Sequence, residues 1–179
     1  MKNLLLDNIK EVIVNSEKKD VYAVSLYLEY YNDNVYEPTI TVSYNTNMYL
    51  EECVKDGIDF IEAKWNYAYW AQNELYVFGL ENNKEEIKKW FVKNNFGYLT
   101  YDEFFSQDID ETLIEEIDTK IKSVLVEVVK ELHVSQFIKK QFGNEIPVVI
   151  HELEYSDKTL EINKAANPEY LISEFEKMF

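Results

Sequence analysis

Residues 21–30 read VYAVSLYLEY, and residues 38–44 read PTITVSY. Both segments are rich in the β-branched and aromatic residues that strands favour, and the second alternates apolar with hydroxyl side chains. The residues between them, 31–35, read YNDNV, and Asn and Asp favour turns. The sequence therefore predicts two strands paired as an antiparallel hairpin.

Helical periodicity marks most of the remaining chain. An opening helix is predicted from about residue 3 to 17, with Leu5, Ile9, Val12 and Ile13 on its apolar face and Lys10, Glu11 and Lys18 on its polar face. Further helices are predicted at residues 47–56 (ending before Gly57), from Asn82 and Asn83 as capping residues to about Gly97, at 137–142 (ending at Gly143), and after Asn167-Pro168 at the C-terminus. Residues 147–155 predict another strand, with Pro147 at its start.

The longest predicted helix carries one continuous apolar stripe from Leu113 to Leu132. Val126 and Val129 fall outside this stripe, so the C-terminal half of the helix is expected to be covered on two sides. Such a helix would have a central structural role.

Length and composition indicate a single domain spanning residues 1–179. The chain is 46% hydrophobic, it contains only four glycines and three prolines, and no linker or repeat divides it. Together with the predicted elements, this indicates an α+β fold in which a small, mainly antiparallel sheet packs against several helices.

The charge is strongly one-sided. Lysines number 18, acidic residues number 34, the net charge is −16, and no arginine occurs. Phosphate and guanine recognition depends largely on arginine and on positive potential, so we expect no binding to nucleic acid.

Features that would place the chain outside the cytoplasm are weak. Cys53 is the single cysteine, so no intramolecular disulfide is possible and an oxidising compartment gains no support. Leu4 to Leu6 is followed directly by Asp7, which makes too short an apolar run for a signal peptide or a membrane span. We expect a cytoplasmic protein without membrane contact.

An acidic run is the first candidate site. It comprises Asp102, Glu103, Asp108, Asp110, Glu111, Glu115, Glu116 and Asp118, and no lysine follows before Lys120. Such a field attracts a cationic partner and accelerates encounter. The alternative is local: Asp108 and Glu111 have the spacing of a capping box, and first-turn acids favour the helix dipole.

An aromatic cluster is the second candidate site, consisting of Trp65, Tyr67, Tyr69, Trp70 and Tyr76. Aromatic rings with a polar group suit a partner-binding or ligand-binding pocket. The spacing of two between Trp65, Tyr67 and Tyr69 equally suits one face of a strand, where the rings fill a core.

No motif for catalysis, cofactor or metal is present. The segment from Asp108 to Glu111 lacks the glycine of a calcium loop, and no nucleophile elbow, phosphate loop or dinucleotide fingerprint occurs. His133 is expected to act at a helix end, His151 has no ligand pattern around it, and Cys53 is expected to be a buried, inert thiol. The sequence thus predicts a protein that is not an enzyme and needs no cofactor or metal.

Three segments resemble the bacterial family called domain of unknown function 4303: VYAVSLY at 21–27, KWNYAYW at 64–70, and Ala166-Asn167-Pro168. The likeness covers nearly the whole chain and implies a first helix, a strand pair, a paired-tryptophan segment, helices, a late strand and a closing helix. Members are similar to small immunity proteins of bacterial toxin systems and are often encoded near them. The resemblance therefore implies a cationic protein toxin as partner.

Three hypotheses for function follow, and one of them is a housekeeping or oligomerisation module whose acidity serves solubility alone. The other two are more specific. The first is a non-enzymatic binding protein of immunity type that neutralises a basic protein toxin, with Asp108, Asp110, Glu111, Glu115 and Glu116 steering the encounter. The second is a small-ligand-binding or enzymatic domain with an aromatic pocket near Trp65 and Trp70.

Overall fold

The helices and strands of this chain are known from a computed structural model, which describes residues 1–17 and 19–179 without the side chains of Leu80 and Glu81. The strands are β1 (Val21–Tyr30), β2 (Pro38–Thr46), β3 (Tyr76–Phe78) and β4 (Val148–His151). The helices are α1 (Lys2–Asn15), α2 (Asn47–Lys55), α3 (Phe60–Trp65), α4 (Leu80–Lys93), α5 (Tyr101–Ser106), α6 (Glu111–Val134), α7 (Phe137–Phe142), α8 (Asp157–Ala166) and α9 (Glu169–Ile172). The α+β prediction is confirmed.

The sheet of the described residues is mixed, with the strand order β3-β2-β1-β4. The predicted hairpin is confirmed, because β1 and β2 pair antiparallel from Tyr30 opposite Pro38 back to Val21 opposite Thr46. β3 adds to β2 in antiparallel fashion, whereas β4 runs parallel to the other side of β1. Two of the three pairings are antiparallel, as the sequence predicts.

The two faces of the sheet bury different types of side chain. One face carries aliphatic side chains such as Leu26, Ile40 and Ile150 and packs with α1, α4 and α6 in the main core. The opposite face carries Ala23 and Val149 along with polar side chains, and it is covered by Trp65, Trp70, Ile172 and Phe175.

Helix α6 has the central position that its apolar pattern predicts. It contacts α1, α7, α8 and β4, and Val129 is fully buried although it lies outside the main stripe. Asp110 caps the helix, since its Oδ1 accepts a hydrogen bond from the Thr112 N–H at 2.9 Å.

The outer edge of β4 is closed by two asparagines. Asn163 accepts from the Ile150 N–H and donates to the Ile150 carbonyl, and Asn167 does the same with Val148. Asn167 therefore ends α8 and caps a strand, so its predicted role as the N-cap of a final helix is wrong. Helix α8, which presents Asn163, is absent from the sequence prediction.

Several predicted boundaries also move. The last strand ends at His151, well before Tyr155, and α4 begins at Leu80 instead of after Asn82 or Asn83. Asn83 still serves the start of α4, because its Oδ1 accepts from the Gly79 N–H at 3.2 Å. Lys18, predicted on the polar face of α1, lies outside the described residues.

Gly79 connects β3 to α4 at a position that tolerates little else. Its φ angle is 115°, and an added Cβ would lie 2.4 Å from the Pro38 carbonyl oxygen. The glycine thus lets the chain leave the sheet edge directly beside the start of β2. In the described part of the chain, no helix combines the length and the apolar character needed to cross a membrane.

Candidate functional site

The acidic run lies on the surface. The five carboxylates singled out from the sequence are all exposed: Asp108, Asp110, Glu111, Glu115 and Glu116. None of them forms an ion pair with a lysine within the described residues. Their charge is therefore available to solvent and to a partner.

Local capping accounts for only part of this charge. Asp110 caps α6, but Asp108 does not, so the capping box expected between Asp108 and Glu111 is wrong. The capping box of this region lies one helix earlier, where Thr100 and Glu103 bond reciprocally. The backbone and hydroxyl hydrogen bonds from Thr100 hold the pKa of Glu103 below its usual range.

Asp118, at the end of the run, is engaged inside the protein. It accepts hydrogen bonds from the Tyr30 hydroxyl at 2.6 Å and from the Lys122 ammonium at 2.9 Å. The same ammonium donates to Glu152 at 2.8 Å. Asp118 thus ties α6 to β1, which separates it from the five unpaired carboxylates before it.

Two exposed aromatic rings accompany the acidic run on α5. Tyr101 is 47% exposed and Phe105 is 53% exposed, and their ring centroids are 4.7 Å apart. Phe104, between them in sequence, is 9% exposed and fixes α5 to the main core. A contacting pair of exposed rings beside acidic residues has the composition of an interface anchor within a polar rim.

The acidic run continues into a shallow groove along α6. Glu115 and Glu116 line this groove, which has a volume of about 470 Å³. Its remaining lining residues are Phe96, Thr112, Thr119, Lys120 and Ser123. The small hydroxyl residues on α6 leave room for a partner to approach the helix closely.

The tryptophans of the second candidate site are core residues. Trp65 and Trp70 are each 2% exposed, and the Trp70 Nε1–H donates to the Lys64 carbonyl at 2.9 Å. Burial confirms the core interpretation, but the expected strand is wrong, because Trp65 ends α3 and residues 67–69 form a 3₁₀ turn. The structure thus gives Trp65 and Trp70 no exposed aromatic wall.

A groove of about 460 Å³ does lie beside Trp65. It is lined by Lys64 and Glu174, which form an ion pair with each other, and by Tyr170 and Lys177 among others. The Nε1 of Trp65 is buried without a hydrogen-bond partner in the described structure. The groove offers mixed charge and no cluster of catalytic groups.

A buried serine–histidine pair lies near the rings of Tyr67 and Trp70. Ser25 Oγ and His151 Nε2 are 2.7 Å apart, and His151 Nδ1 is 2.9 Å from the Glu152 carbonyl oxygen. Since a carbonyl only accepts, Nδ1 carries the proton of the neutral ring, Nε2 accepts, and the Ser25 hydroxyl donates. Burial lowers the pKa of His151 to about 4, so the ring is neutral near pH 7.

The pair resembles a nucleophile and its base only in composition. Ser25 is 0% exposed and His151 is 1% exposed, with the Tyr67 ring centroid 4.4 Å from the imidazole. A substrate therefore has no path to the hydroxyl. The pair is a buried hydrogen bond on the sheet face that Trp65 and Trp70 cover. Ser25 and His151 are 126 residues apart, so no local pattern in the sequence indicates their contact.

The other residues considered from the sequence have structural roles. His133 lies in the last turn of α6, with Nδ1 at 3.1 Å from Glu145 and Nε2 at 3.1 Å from Asn167. Cys53 is partly buried and not fully buried as expected; desolvation raises the pKa of its thiol, and its Sγ is 3.4 Å from the Tyr69 carbonyl oxygen. Among the residues that the structure describes, no group of three His, Cys, Asp or Glu side chains is placed to hold a metal ion.

Comparisons of the chain with protein-family models, with curated proteins and with solved structures found no match. The resemblance to domain of unknown function 4303 therefore stays a prediction.

Proposed function

We propose that this protein is a non-enzymatic binding protein of immunity type, which acts in the cytoplasm by covering the active surface of a cationic protein toxin. The observation that carries the proposal is the exposed, unpaired charge of Asp108, Asp110, Glu111, Glu115 and Glu116 beside an exposed aromatic pair. We call these five acids together with Tyr101 and Phe105 the acidic face.

The two components of the acidic face would contribute differently to binding. Unpaired carboxylates on a chain of net charge −16 raise the association rate with a basic partner, and salt screens this effect over about 10 Å. Aromatic rings that become buried in the complex slow dissociation, because most interface energy comes from a few such anchors. The same net charge disfavours binding to nucleic acid, so the proposed partner is a protein.

The test co-purifies this chain with the product of the neighbouring gene, which the proposal expects to be a basic protein. Lysine at all five acidic positions is expected to lower the association rate at low salt by at least about tenfold and to weaken its salt dependence. Serine at Tyr101 and Phe105 is expected to raise the dissociation rate instead.

A matched control changes net charge by the same amount elsewhere. It places lysine at five exposed acids of α1, α2 and the residues that follow them, namely Glu11, Glu17, Glu51, Glu52 and Asp56. If this control slows association as much as the acidic-face variant does, net charge and not the face is responsible. A neighbouring gene of metabolic function, with no complex formed, would contradict the proposal altogether.

The alternative class, a small-ligand-binding or enzymatic domain near Trp65 and Trp70, has less support. Both indoles are buried, and Trp65 borders an open groove. The test is a titration with a small molecule that follows tryptophan fluorescence. A saturable change in fluorescence that is lost in Trp65→Phe and kept in Trp90→Phe would favour this class over the first.

A further inference from the structure

A small, partly open pocket lies between the β1–β2 loop and α4. Its lining includes three tyrosines, Tyr31, Tyr36 and Tyr98, together with Glu37, and of these Tyr36 is only 1% exposed. Pro38, Lys84 and Ile87 complete the lining. Its volume is about 190 Å³, which is below the range of pockets for drug-sized molecules and sufficient for the end of one side chain.

The loop that supplies Tyr31, Tyr36 and Glu37 is held by its own backbone. The Tyr31 N–H donates to the Glu37 carbonyl at 3.0 Å, which closes the loop across the two strand ends. Asn32 and Asp33 adopt left-handed conformations, with φ angles of 51° and 58°, which Asn and Asp tolerate better than most residues. The pocket wall is therefore formed before any ligand arrives.

Tyr98 reaches the same pocket from the segment after α4. Its ring meets Tyr36 edge to face, with centroids 6.1 Å apart. Burial, followed by the charges of Glu37 and Glu85, raises the pKa of Tyr98 to about 12, so the phenol stays neutral. The ammonium of Lys88, which does not line the pocket, lies 5.1 Å from the centroid of the Tyr98 ring, so this ring already makes one cation–π contact within the chain.

A pocket that combines aromatic rings with one carboxylate favours an organic cation over a neutral molecule. The ring quadrupoles attract positive charge, and Glu37, whose side chain is 14% exposed, supplies a partly desolvated counter-ion. Glu37 now pairs with Lys84 at 3.4 Å, and the Lys84 side chain is 42% exposed. Lys84 can swing into solvent when another cation takes its place at the carboxylate.

The pocket is linked to α5 through buried rings of the main core. The Tyr36 centroid is 6.1 Å from that of Phe104, the residue that fixes α5 to this core.

We propose that the pocket of Tyr31, Tyr36, Glu37 and Tyr98 binds the cationic head of one lysine or arginine side chain of the basic partner. This inference rests on the proposed function, since it takes the partner from there. It adds a preformed site for one cationic group to the steering charges and the exposed aromatic pair of the acidic face.

The first experiment needs no partner. Ethylguanidinium and butylammonium are titrated into the protein while the ring resonances of Tyr31 and Tyr98 are followed by NMR, with neutral N-ethylurea as the matched control. At least one of the two cations is expected to shift both rings with saturation, and N-ethylurea is expected to leave them unchanged. Equal shifts from N-ethylurea, or binding by choline but neither of these cations, would overturn the proposal.

Variants locate the binding. Glu37→Gln and Tyr31→Leu are each expected to lower the affinity for the cation at least fivefold. Lys84→Met is expected to raise this affinity. Glu62→Gln, at an exposed acid on α3, is the control. Tyr31 is 49% exposed, so its replacement tests the wall without opening the core. Unchanged affinity in both Glu37→Gln and Tyr31→Leu would refute the site.

The partner complex separates this inference from the proposed function. If the cations bind the pocket but lysine at the acidic face leaves association with the partner unchanged, the proposed function fails while the pocket remains a cation site. If the acidic face steers the partner but Glu37→Gln and Tyr31→Leu leave the dissociation rate unchanged, the partner does not use the pocket, and the inference fails alone.

Discussion

Asn163 and Ile150 exchange two hydrogen bonds: the Ile150 N–H donates to Asn163 Oδ1 at 2.9 Å, and Asn163 Nδ2 donates to the Ile150 carbonyl at 2.7 Å. Asn163 is 0% exposed, so its amide replaces the strand that would otherwise satisfy this part of β4. The side chain of one helix residue thus completes the sheet.

Replacement of this amide should be costly. Asn163→Ala leaves a buried N–H and a buried C=O of Ile150 without partners, and we expect the free energy of unfolding to fall by about 2 to 4 kcal/mol. Urea denaturation measures the change. Asn3→Ala, at an exposed position of α1, is the control and should change stability by less than about 0.5 kcal/mol.

The buried imidazole of His151 predicts a specific dependence of stability on pH. Its pKa is about 4 in the folded protein and about 6.5 when unfolded, so the unfolded state binds the extra proton between these values. The stabilisation is fully present above pH 6.5 and is lost as the pH falls toward 4, by about 3 kcal/mol in all.

Unfolding free energies of the wild type and of His151→Gln, measured from pH 4 to 7.5, isolate this contribution from that of the carboxylates. The difference between the two proteins should shrink steadily as the pH falls. A constant difference across the range would mean that His151 titrates normally in the folded state.

Replacement of the two neighbouring phenylalanines on α5 should change stability by very different amounts. Phe104→Ala removes a ring from the main core and is expected to destabilise the protein by about 3 to 5 kcal/mol. Phe105→Ser changes a ring that is 53% exposed and should alter stability by no more than about 0.5 kcal/mol. A large loss from Phe105→Ser would assign this ring to folding instead of to partner binding.

Two glycines with positive φ provide a matched pair for backbone strain. At Gly79 an alanine Cβ would collide with the Pro38 carbonyl at 2.4 Å, whereas at Gly57, with φ of 94°, nothing lies within 4 Å. Gly57→Ala should therefore cost about 1 kcal/mol from the left-handed backbone alone, and Gly79→Ala clearly more. Thermal unfolding of the two variants ranks them; equal melting temperatures would show that the loop at Gly79 relaxes freely.

The unpaired acids of α6 should contribute nothing to folding. Because Glu115 and Glu116 have no lysine partner in the described structure and lie among like charges, their joint replacement by Gln removes repulsion only. We expect unchanged or slightly higher stability at low salt, by up to about 0.5 kcal/mol, and no difference at 1 M salt. Lower stability of this variant at low salt would reveal a folding role for these charges.

Elements with a strong local pattern could be predicted, and those defined by distant contacts could not. The β1–β2 hairpin and α6 follow directly from the spacing of their apolar residues. Helix α8 escaped prediction because its buried face consists of Thr159, Asn163 and Ala166, which produce no apolar stripe. β3 has only three residues, too few for an alternation to stand out.

In the candidate site, too, only the residues with a local pattern could be predicted from the sequence. The acidic residues are visible in the sequence, and so, in retrospect, are Tyr101 and Phe105, which are spaced four apart on a helix and flanked by acids. The pocket is not visible, because Tyr31 and Tyr98 are brought together only by the packing of α4 against the hairpin loop. The period-two aromatic spacing from Trp65 to Tyr69 misled the prediction because a helix end followed by a 3₁₀ turn produces the same interval.

The asparagine ladder along β4 also restricts how any other chain can attach. Backbone groups of an edge strand commonly recruit an extra strand from a partner, but here the amides of Asn163 and Asn167 already occupy those groups. The opposite edge, β3, is three residues long and contacts α1. A partner of this protein would therefore have to contact side chains on its helices and loops, where a single substitution could alter binding without disturbing the sheet.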